Sequence, residues 1–264
     1  MDNLPDTLLI PLVIRAQETK REHPMLQDIR AVELCQKLHL DDRKLKQAQV
    51  SEEVQLSLLL RNRHFDEIVV NFLNVHPHAI IVYLGCGLDA RFERLDNGSL
   101  TWYDLDLPEV ISYRQVLLGE DTDRHKPLAY SALDDEWMNE VRVDEPGQIL
   151  IIAEGLFMFF QESQVRYLIL ELKARFPGSE LAFDAFSPFY MWGNNRRVNK
   201  SNIGAMVRWG LKHPTEIEAW SEGVKLLDEW YPFLTDEPRL AHIRWVKFIP
   251  LLAKTTGVFH YRLE

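Results

Sequence analysis

Cysteine is scarce: the 264 residues hold only Cys35 and Cys86, with no C-x-x-C pair. That excludes a disulfide framework and suits a reducing cytoplasm. Long hydrophobic runs are missing too. No stretch approaches the roughly 20 continuous apolar residues of a membrane helix, so no membrane partner is expected. The opening Met1-Asp2-Asn3-Leu4-Pro5-Asp6 lacks the basic start of a secretion signal, although Leu8 to Ile14 is apolar. Positive charge is in deficit. Thirty Lys and Arg against forty Asp and Glu leave a formal charge of −10, which makes a nucleic-acid backbone an unsuitable partner. Repeats, low-complexity tracts and an obvious linker are also lacking. These absences point to a soluble cytoplasmic protein with one sizeable core.

The apolar pattern then divides the chain. Leu34, Leu38 and Leu45, followed by Leu56, Leu59 and Leu60, recur at helical spacing, and no β-branched run appears before Ile68-Val69-Val70. Residues 1–75 therefore read as a helical cap, with a helix over Asp66 to Leu73 leading into the turn His76-Pro77-His78. Two histidines without a nearby Cys or acid make a poor metal site. From residue 79 strands and helices alternate. Strands are predicted at Ala79–Leu84, Leu100–Leu105, Pro127–Tyr130, Gln148–Ala153, Glu180–Phe183, Val224–Trp230 and Gly257–Leu263. Helices are predicted from Pro108, over Glu162 to Phe176, and over Pro238 to Lys254. Thr215-Glu216-Ile217-Glu218 has the form of a capping box. Such alternation argues for an α/β fold with a mostly parallel sheet covered on both faces. Residues 76–185 form the expected cofactor-binding core, 186–223 an insert after strand five, and 224–264 the closing strands and helix.

The chemistry concentrates in two strand ends. Leu84-Gly85-Cys86-Gly87-Leu88-Asp89-Ala90-Arg91 ends the first strand in a glycine turn, and Asp104-Leu105-Asp106 closes the second in acids. Glycines let a ligand approach backbone, and an acid at the next strand's tip grips ribose hydroxyls. A dinucleotide fits less well, because Asp89 would set an anion beside its phosphates. S-adenosylmethionine carries a sulfonium and an amino-acid zwitterion instead, and a loop with both Asp89 and Arg91 suits it. An NAD-type oxidoreductase and a non-catalytic cofactor-binding module stay open as alternatives.

Those two motifs, with Leu107-Pro108-Glu109-Val110 and Ala153-Glu154-Gly155-Leu156-Phe157-Met158-Phe159, resemble the leucine carboxyl methyltransferase family over roughly residues 55–185. The similarity is strongest to its bacterial branch, which includes polyketide (tetracenomycin-type) carboxy-O-methyltransferases. The resemblance implies a class I S-adenosylmethionine-dependent methyltransferase fold, Rossmann-like, with seven strands and the last one antiparallel. It implies that Gly85 and Gly87 underlie the cofactor's amino-acid portion, with Asp89 in the same loop. Asp106 would hold the ribose, flanked by Asp104 and Leu107, and Glu154 would face the methionyl ammonium. Arg61, or alternatively Arg63, would clamp the cofactor carboxylate. Ser131 and Ala132 stand where relatives place the adenine contact, but Ser131-Ala132-Leu133-Asp134 departs from the family's Asp-Leu pair. A protein C-terminal leucine, the acceptor of eukaryotic relatives, is disfavoured against a small molecule.

Each residue also has a plainer reading. Asp104 or Asp106 could cap the helix at Pro108, and Arg61 and Arg63 could share a solvated face with Asp66 and Glu67. Glu154 lies between apolar runs, where a carboxylate needs a partner. For the acceptor, Phe186, Phe189, Tyr190, Met191, Trp192, Met206 and Trp209 offer an aromatic wall, and Arg196, Arg197 and Arg208 offer positive charge. A carboxylate acceptor needs no general base. For a hydroxyl, the candidates are His213, His125 and Asp184.

Overall fold

The computed structural model describes residues 5–48, 50–119, 122–143, 147–201 and 205–264. Residues 1–4 of the opening segment and 202–204 of the insert lie outside this set. Four helices come first: α1 (Asp6–Thr19), α2 (Ile29–Lys37), α3 (Arg43–Gln47) and α4 (Glu52–Val75). The predicted helix at Asp66 is the last third of α4, because the stripe Leu56, Leu60, Phe65, Val69, Phe72 runs on without a break and is buried throughout. The Ser51 side chain caps its start by accepting from Val54 N–H.

The alternating part then follows: β1 (Ile80–Leu84), α5 (Arg91–Leu95), β2 (Thr101–Asp106), α6 (Pro108–Leu118), β3 (His125–Ala129), β4 (Ile149–Ala153), α7 (Glu162–Arg175), β5 (Ser179–Phe186), α8 (Pro188–Ser201), α9 (Thr215–Glu218), β6 (Val224–Trp230), α10 (Pro250–Ala253) and β7 (Thr256–Leu263). The seven strands form one sheet in the order β3-β2-β1-β4-β5-β7-β6. β7 runs antiparallel to both neighbours, and the other six share one direction. This is the α/β class I methyltransferase topology that the resemblance implies. β1 lies at the centre, with Val82 opposite Tyr103 on one side and Ile151 on the other. Both faces of β1 are covered, which explains its unbroken apolar sequence. Pro127 is tolerated inside β3 because that strand is at the sheet's edge.

Trp137, Phe157, Leu168, Leu172 and Phe183 fill one face of the sheet, and Phe65, Val69, Phe72 and Trp102 fill the other. A third cluster joins Leu12, Leu34 and Leu45 of the first three helices to Leu88 and Leu117. The N-terminal helices are thereby packed against the glycine turn.

Two local expectations need correction. Thr215 does not cap α9: Pro214 precedes the helix without a side-chain cap, and Glu218 accepts instead from the Leu226 N–H at 3.0 Å. The Gln164 side chain makes such a capping contact elsewhere, accepting from the Gln161 N–H at 2.9 Å. The predicted helix over Pro238 to Lys254 is also divided. A 3-10 helix covers Pro238–Phe248 with non-helical dihedrals at Ile243, and α10 starts only at Pro250. Pro250 holds Ile249 extended, at φ −120° and ψ 92°, because its ring clashes with a helical predecessor.

Candidate functional site

Because β1, β2 and β4 are parallel neighbours, their C-terminal tips bring Gly85, Asp106 and Glu154 to one end of the sheet. Gly85 and Gly87 both have left-handed backbone, with φ of 69° and 53°. The Asp106 carboxylate bridges the turn and the next helix. Its Oδ2 accepts from the Gly87 N–H and its Oδ1 from the Leu107 N–H, each at 2.8 Å. Burial pushes its pKa up, against the pull of those two N–H groups. Half-exposed Leu107 sits just before α6. Ser131 and Ala132 follow β3, whose Tyr130 N–H donates to Asp106 O at 3.1 Å.

Above the glycine turn lie two leucines. A methyl group added to Gly85 would meet Leu156 at 3.1 Å, and one added to Gly87 would meet Leu8 of α1 at 3.1 Å. The left-handed dihedrals favour glycine at both positions, and a side chain at either would push its leucine aside by a few tenths of an ångström.

Beside the turn, four arginines (Arg15, Arg61, Arg91, Arg94) and five carboxylates (Asp28, Asp66, Asp89, Glu154, Asp184) form one buried network. Arg61 donates to Glu154 at 3.0 Å and to Asp184 at 2.7 Å. Arg63, by contrast, points to the half-exposed Glu67 at 3.4 Å. Arg91 donates to Asp66 at 2.8 Å and to Glu154 at 2.5 Å. Arg94 donates to Asp89 and Asp66, each at 2.7 Å, and Asn62 bridges Asp89 and Glu154. Burial alone pushes Glu154 up, but Arg91 and Arg61 reverse this and leave its carboxyl below the usual range. Asp89 is likewise opposed by burial, yet Arg15, Arg94 and Arg91 hold it well below. One donor is left over. The Nη1 of fully buried Arg91 has no hydrogen-bond partner, and its guanidinium rests 4.8 Å from the Tyr83 ring. Arg91 is otherwise paired with Asp66 and Glu154, so this single N–H, among the described residues, is the part of its guanidinium left open to a further acceptor.

Some expected residues are placed differently. Asp104 is buried beneath the turn rather than beside Asp106's free edge. It accepts from Trp102 Nε1 at 2.8 Å and from Arg114 at 2.5 Å, and it pairs with His125 Nε2 at 2.7 Å. Arg114 in turn donates to Gly87 O at 2.8 Å and Asp89 O at 2.9 Å, so Asp104 braces the glycine loop from below. His125 is thereby ruled out as a base, since it is buried and stacked on Phe92 at 4.2 Å. Exposed His213 sits in a turn whose neighbour Pro214 accepts from Tyr261 of β7, away from the tips of β1, β2 and β4. Asp184 is held by Arg61 and by the Gly155 N–H at 2.6 Å. Trp209 belongs to the core, 6.1 Å from Phe183. Phe189 and Trp192 remain exposed on α8, Tyr190 stacks on Phe186 at 4.4 Å, and Arg196 lies over Trp192. Asn195 pins the stretch beyond α8 through paired bonds to Val207 N–H and O. Sequence reading missed Asn62, Asp66, Arg94 and Arg15. Only Asn62 and Arg94 carried a signal, by adjacency to Arg61 and Arg91.

Two outcomes follow. Asp104→Ala removes the buried carboxylate that Trp102, Arg114 and His125 share and is expected to cost about 3–5 kcal/mol in urea unfolding; a loss under about 1 kcal/mol would contradict the brace. Asp89, Asp104 and Glu154 have lowered pKa values, so their stabilisation is present above the ordinary carboxylate pKa, about 4, and is lost as pH falls through their folded values. Asp106 and Asp184, which are raised, act oppositely: their ionised forms cost stability at neutral pH, and acid relieves that cost. Glu154→Gln should therefore lower the thermal midpoint at pH 7 and flatten its decline toward acid; melts of the variant and its parent across that range test the sign.

Comparison with known proteins adds the family. The chain is 29% identical to the tetracenomycin polyketide synthesis O-methyltransferase TcmP of Streptomyces glaucescens, over 92% of this chain and 87% of that one. It is 26% identical to the S-adenosyl-L-methionine-dependent methyltransferase dpfgK of Gibberella zeae, over 91% and 86% of the two chains. Among solved structures, magnesium protoporphyrin IX methyltransferase of Synechocystis superposes with a TM-score of 0.51 at 10% identity, covering 88% of this chain and 94% of that one. A DUF574 family protein of Streptomyces avermitilis reaches 0.60 at 12% identity, covering 96% and 97%. Those two likenesses concern the fold alone. The family model for leucine carboxyl methyltransferase matches residues 9–172, beginning inside α1 and so well before the motifs at the strand tips. The chain therefore belongs to the leucine carboxyl methyltransferase family and is an S-adenosylmethionine-dependent methyltransferase.

Proposed function

We propose that this enzyme methylates an oxygen of a small molecule, with the carboxylate of a flat, polyketide-like aromatic acid as the favoured acceptor. One observation carries the cofactor half of this reading: Asp106 ties the Gly87 turn to the start of α6 and keeps lone pairs for further donors. S-adenosylmethionine, when bound, supplies an electrophilic methyl group on its sulfonium. In this reading Asp106 accepts from the ribose hydroxyls. Gly85 and Gly87 admit the amino-acid portion, with Asp89 and Asp104 shaping the loop from behind. Glu154 faces the ammonium, and Arg61 exchanges part of its contact with Glu154 and Asp184 for the ligand's carboxylate. Leu107, Ser131 and Ala132 border the adenine side.

The acceptor half rests on α8 and on the relative's name. Tyr190 is half-buried and stacks on Phe186, and its phenol is pushed up by burial against the pull of Arg197 and Arg61. Phe186 and Phe189 widen that apolar side. Transfer to a carboxylate needs positioning and exclusion of water, not proton removal. That agrees with the way His125 and Asp184 are already committed to structural partners. TcmP is named for tetracenomycin polyketide synthesis, which supports an aromatic acid as the acceptor class to try first.

Asp106→Ala is expected to weaken S-adenosylmethionine binding by about 1–3 kcal/mol in calorimetry, through loss of charged hydrogen bonds; unchanged affinity in the folded variant would remove Asp106 from the site. Acceptor chemistry is checked by labelled methyl transfer onto aromatic polyketide acids and aliphatic acids. A product that mild alkali cleaves to methanol is an ester, as expected. An alkali-stable product would be an ether and would move the reading to a hydroxyl, while a clear aliphatic preference would contradict the aromatic class.

A further inference from the structure

The stretch between β6 and β7 has a surface unlike the rest of the molecule. Between Glu237 and Glu264 there is no acidic residue, whereas residues 238–254 carry Arg239, Arg244, Lys247 and Lys254, in a chain whose net charge is −10. Large apolar side chains stand out beside them: Phe248 is 84% exposed, Leu251 57%, Trp245 55% and Ile249 40%. Local geometry sets them in a row. In a 3-10 helix, residues three apart lie above one another, so Trp245 and Phe248 share an edge and Arg244 and Lys247 share the next. Pro250 then turns the chain, and Leu251 follows in α10.

Placement adds meaning. β6 runs parallel to β1, so the chain leaving Trp230 emerges at the end of the sheet that holds Gly85, Asp106 and Glu154. It returns at Thr256, opposite Phe186 at the end of β5. The aromatic row thus lies on the same end of the molecule as the methyl-donor site.

We propose that this segment docks the enzyme on an anionic lipid bilayer surface, with Trp245, Phe248, Ile249 and Leu251 entering the interface and Arg244 and Lys247 meeting lipid phosphates. Peripheral attachment of this kind combines shallow apolar insertion with attraction to anionic headgroups. It needs no spanning helix, and among the described residues none is long and apolar enough to be one. The positive charge is modest, because Arg239 is committed to Glu18 and Glu237, and Lys247 and Lys254 also touch exposed Asp236 and Glu229. Arg244 makes no ion pair among the described residues, although its charge reaches Asp236. Insertion of the apolar row therefore supplies most of the attachment, and lipid charge its selectivity.

Two other occupants fit less well. A second copy meeting this face across a two-fold axis would bring two like-charged patches, each with Arg244 and Lys247, into one interface. A folded partner needs complementary hollows, but the one lined by Phe233, Leu240 and Ile243 holds about 10 Å³, too little for a side chain, and the one of about 460 Å³ around His23, Met25 and Arg239 is lined by none of the row's apolar residues. Protruding groups without a receiving groove suit a soft phase. Docked this way, the enzyme would turn its site end toward the bilayer, where a poorly water-soluble acceptor collects.

Co-sedimentation of the full chain with phosphatidylglycerol–phosphatidylcholine vesicles tests this, with pure phosphatidylcholine vesicles as the control. Binding at least tenfold stronger to the anionic vesicles is expected. Trp245→Ala/Phe248→Ala/Leu251→Ala should lose at least tenfold, and Arg244→Glu should abolish the preference for anionic lipid. Affinity for S-adenosylmethionine should stay unchanged in both variants, which certifies the fold independently of the acceptor reading. Failure of the wild type to sediment with anionic vesicles overturns the proposal. So does undiminished sedimentation of the triple variant, or a wild-type dimer in size-exclusion chromatography that the triple variant converts to monomer.

Discussion

A network of buried ion pairs is the constraint on which the rest of this structure depends. Arg15 of α1, Arg61 and Asp66 of α4, Asp89 of the glycine loop, Arg91 and Arg94 of α5, Glu154 after β4 and Asp184 of β5 are joined through direct contacts. Each charge would be costly to bury alone, and each is neutralised only when all of these segments are in place. The helical N-terminus is therefore part of the site rather than an appendage to it.

The same network sets the terms for a ligand. Arg61 is not waiting free: Glu154 and Asp184 already hold it. In the proposed binding mode an amino-acid carboxylate would compete with these two acids while its ammonium compensated Glu154, so a zwitterion would disturb the charge balance least. Leu8 and Leu156 impose a second condition, because they lie in van der Waals contact distance above the two glycines. A ligand seated on the glycine turn must displace both. Leu8 belongs to α1, which Arg15 ties to Asp28 and to Leu88 O at the far side of the same loop. In the proposed mode, cofactor entry would therefore be linked to the seating of α1.

What was legible in the sequence was local. Gly87 and Asp106 lie 19 positions apart, with Gly85 two residues earlier, and the order strand, turn, strand places them together with no knowledge of the rest. The alternation of strands and helices, and the unbroken apolar β1 and β4, gave the layered α/β architecture for the same reason. The ion pairs were not legible, because Arg61 and Asp184 are 123 positions apart and nothing in either neighbourhood names the other. Asp104 and His125 misled for a related reason. Strand alternation tells that Asp104 and Asp106 share a face, but not that Arg114 and Trp102 would close over one and leave the other at the rim. The helix expected over Pro238 to Lys254 failed at Pro250, where the restriction on the preceding residue outweighs the apolar periodicity.

The account stands or falls on where the nucleoside lies. A crystal structure of the S-adenosylhomocysteine complex is the most direct measurement. It should place both ribose hydroxyls within hydrogen-bond distance of Asp106, with Leu8 and Leu156 moved off Gly87 and Gly85 and the amino-acid tail beside Glu154. A nucleoside bound elsewhere, or bound with those leucines still packed on the glycines, would contradict it.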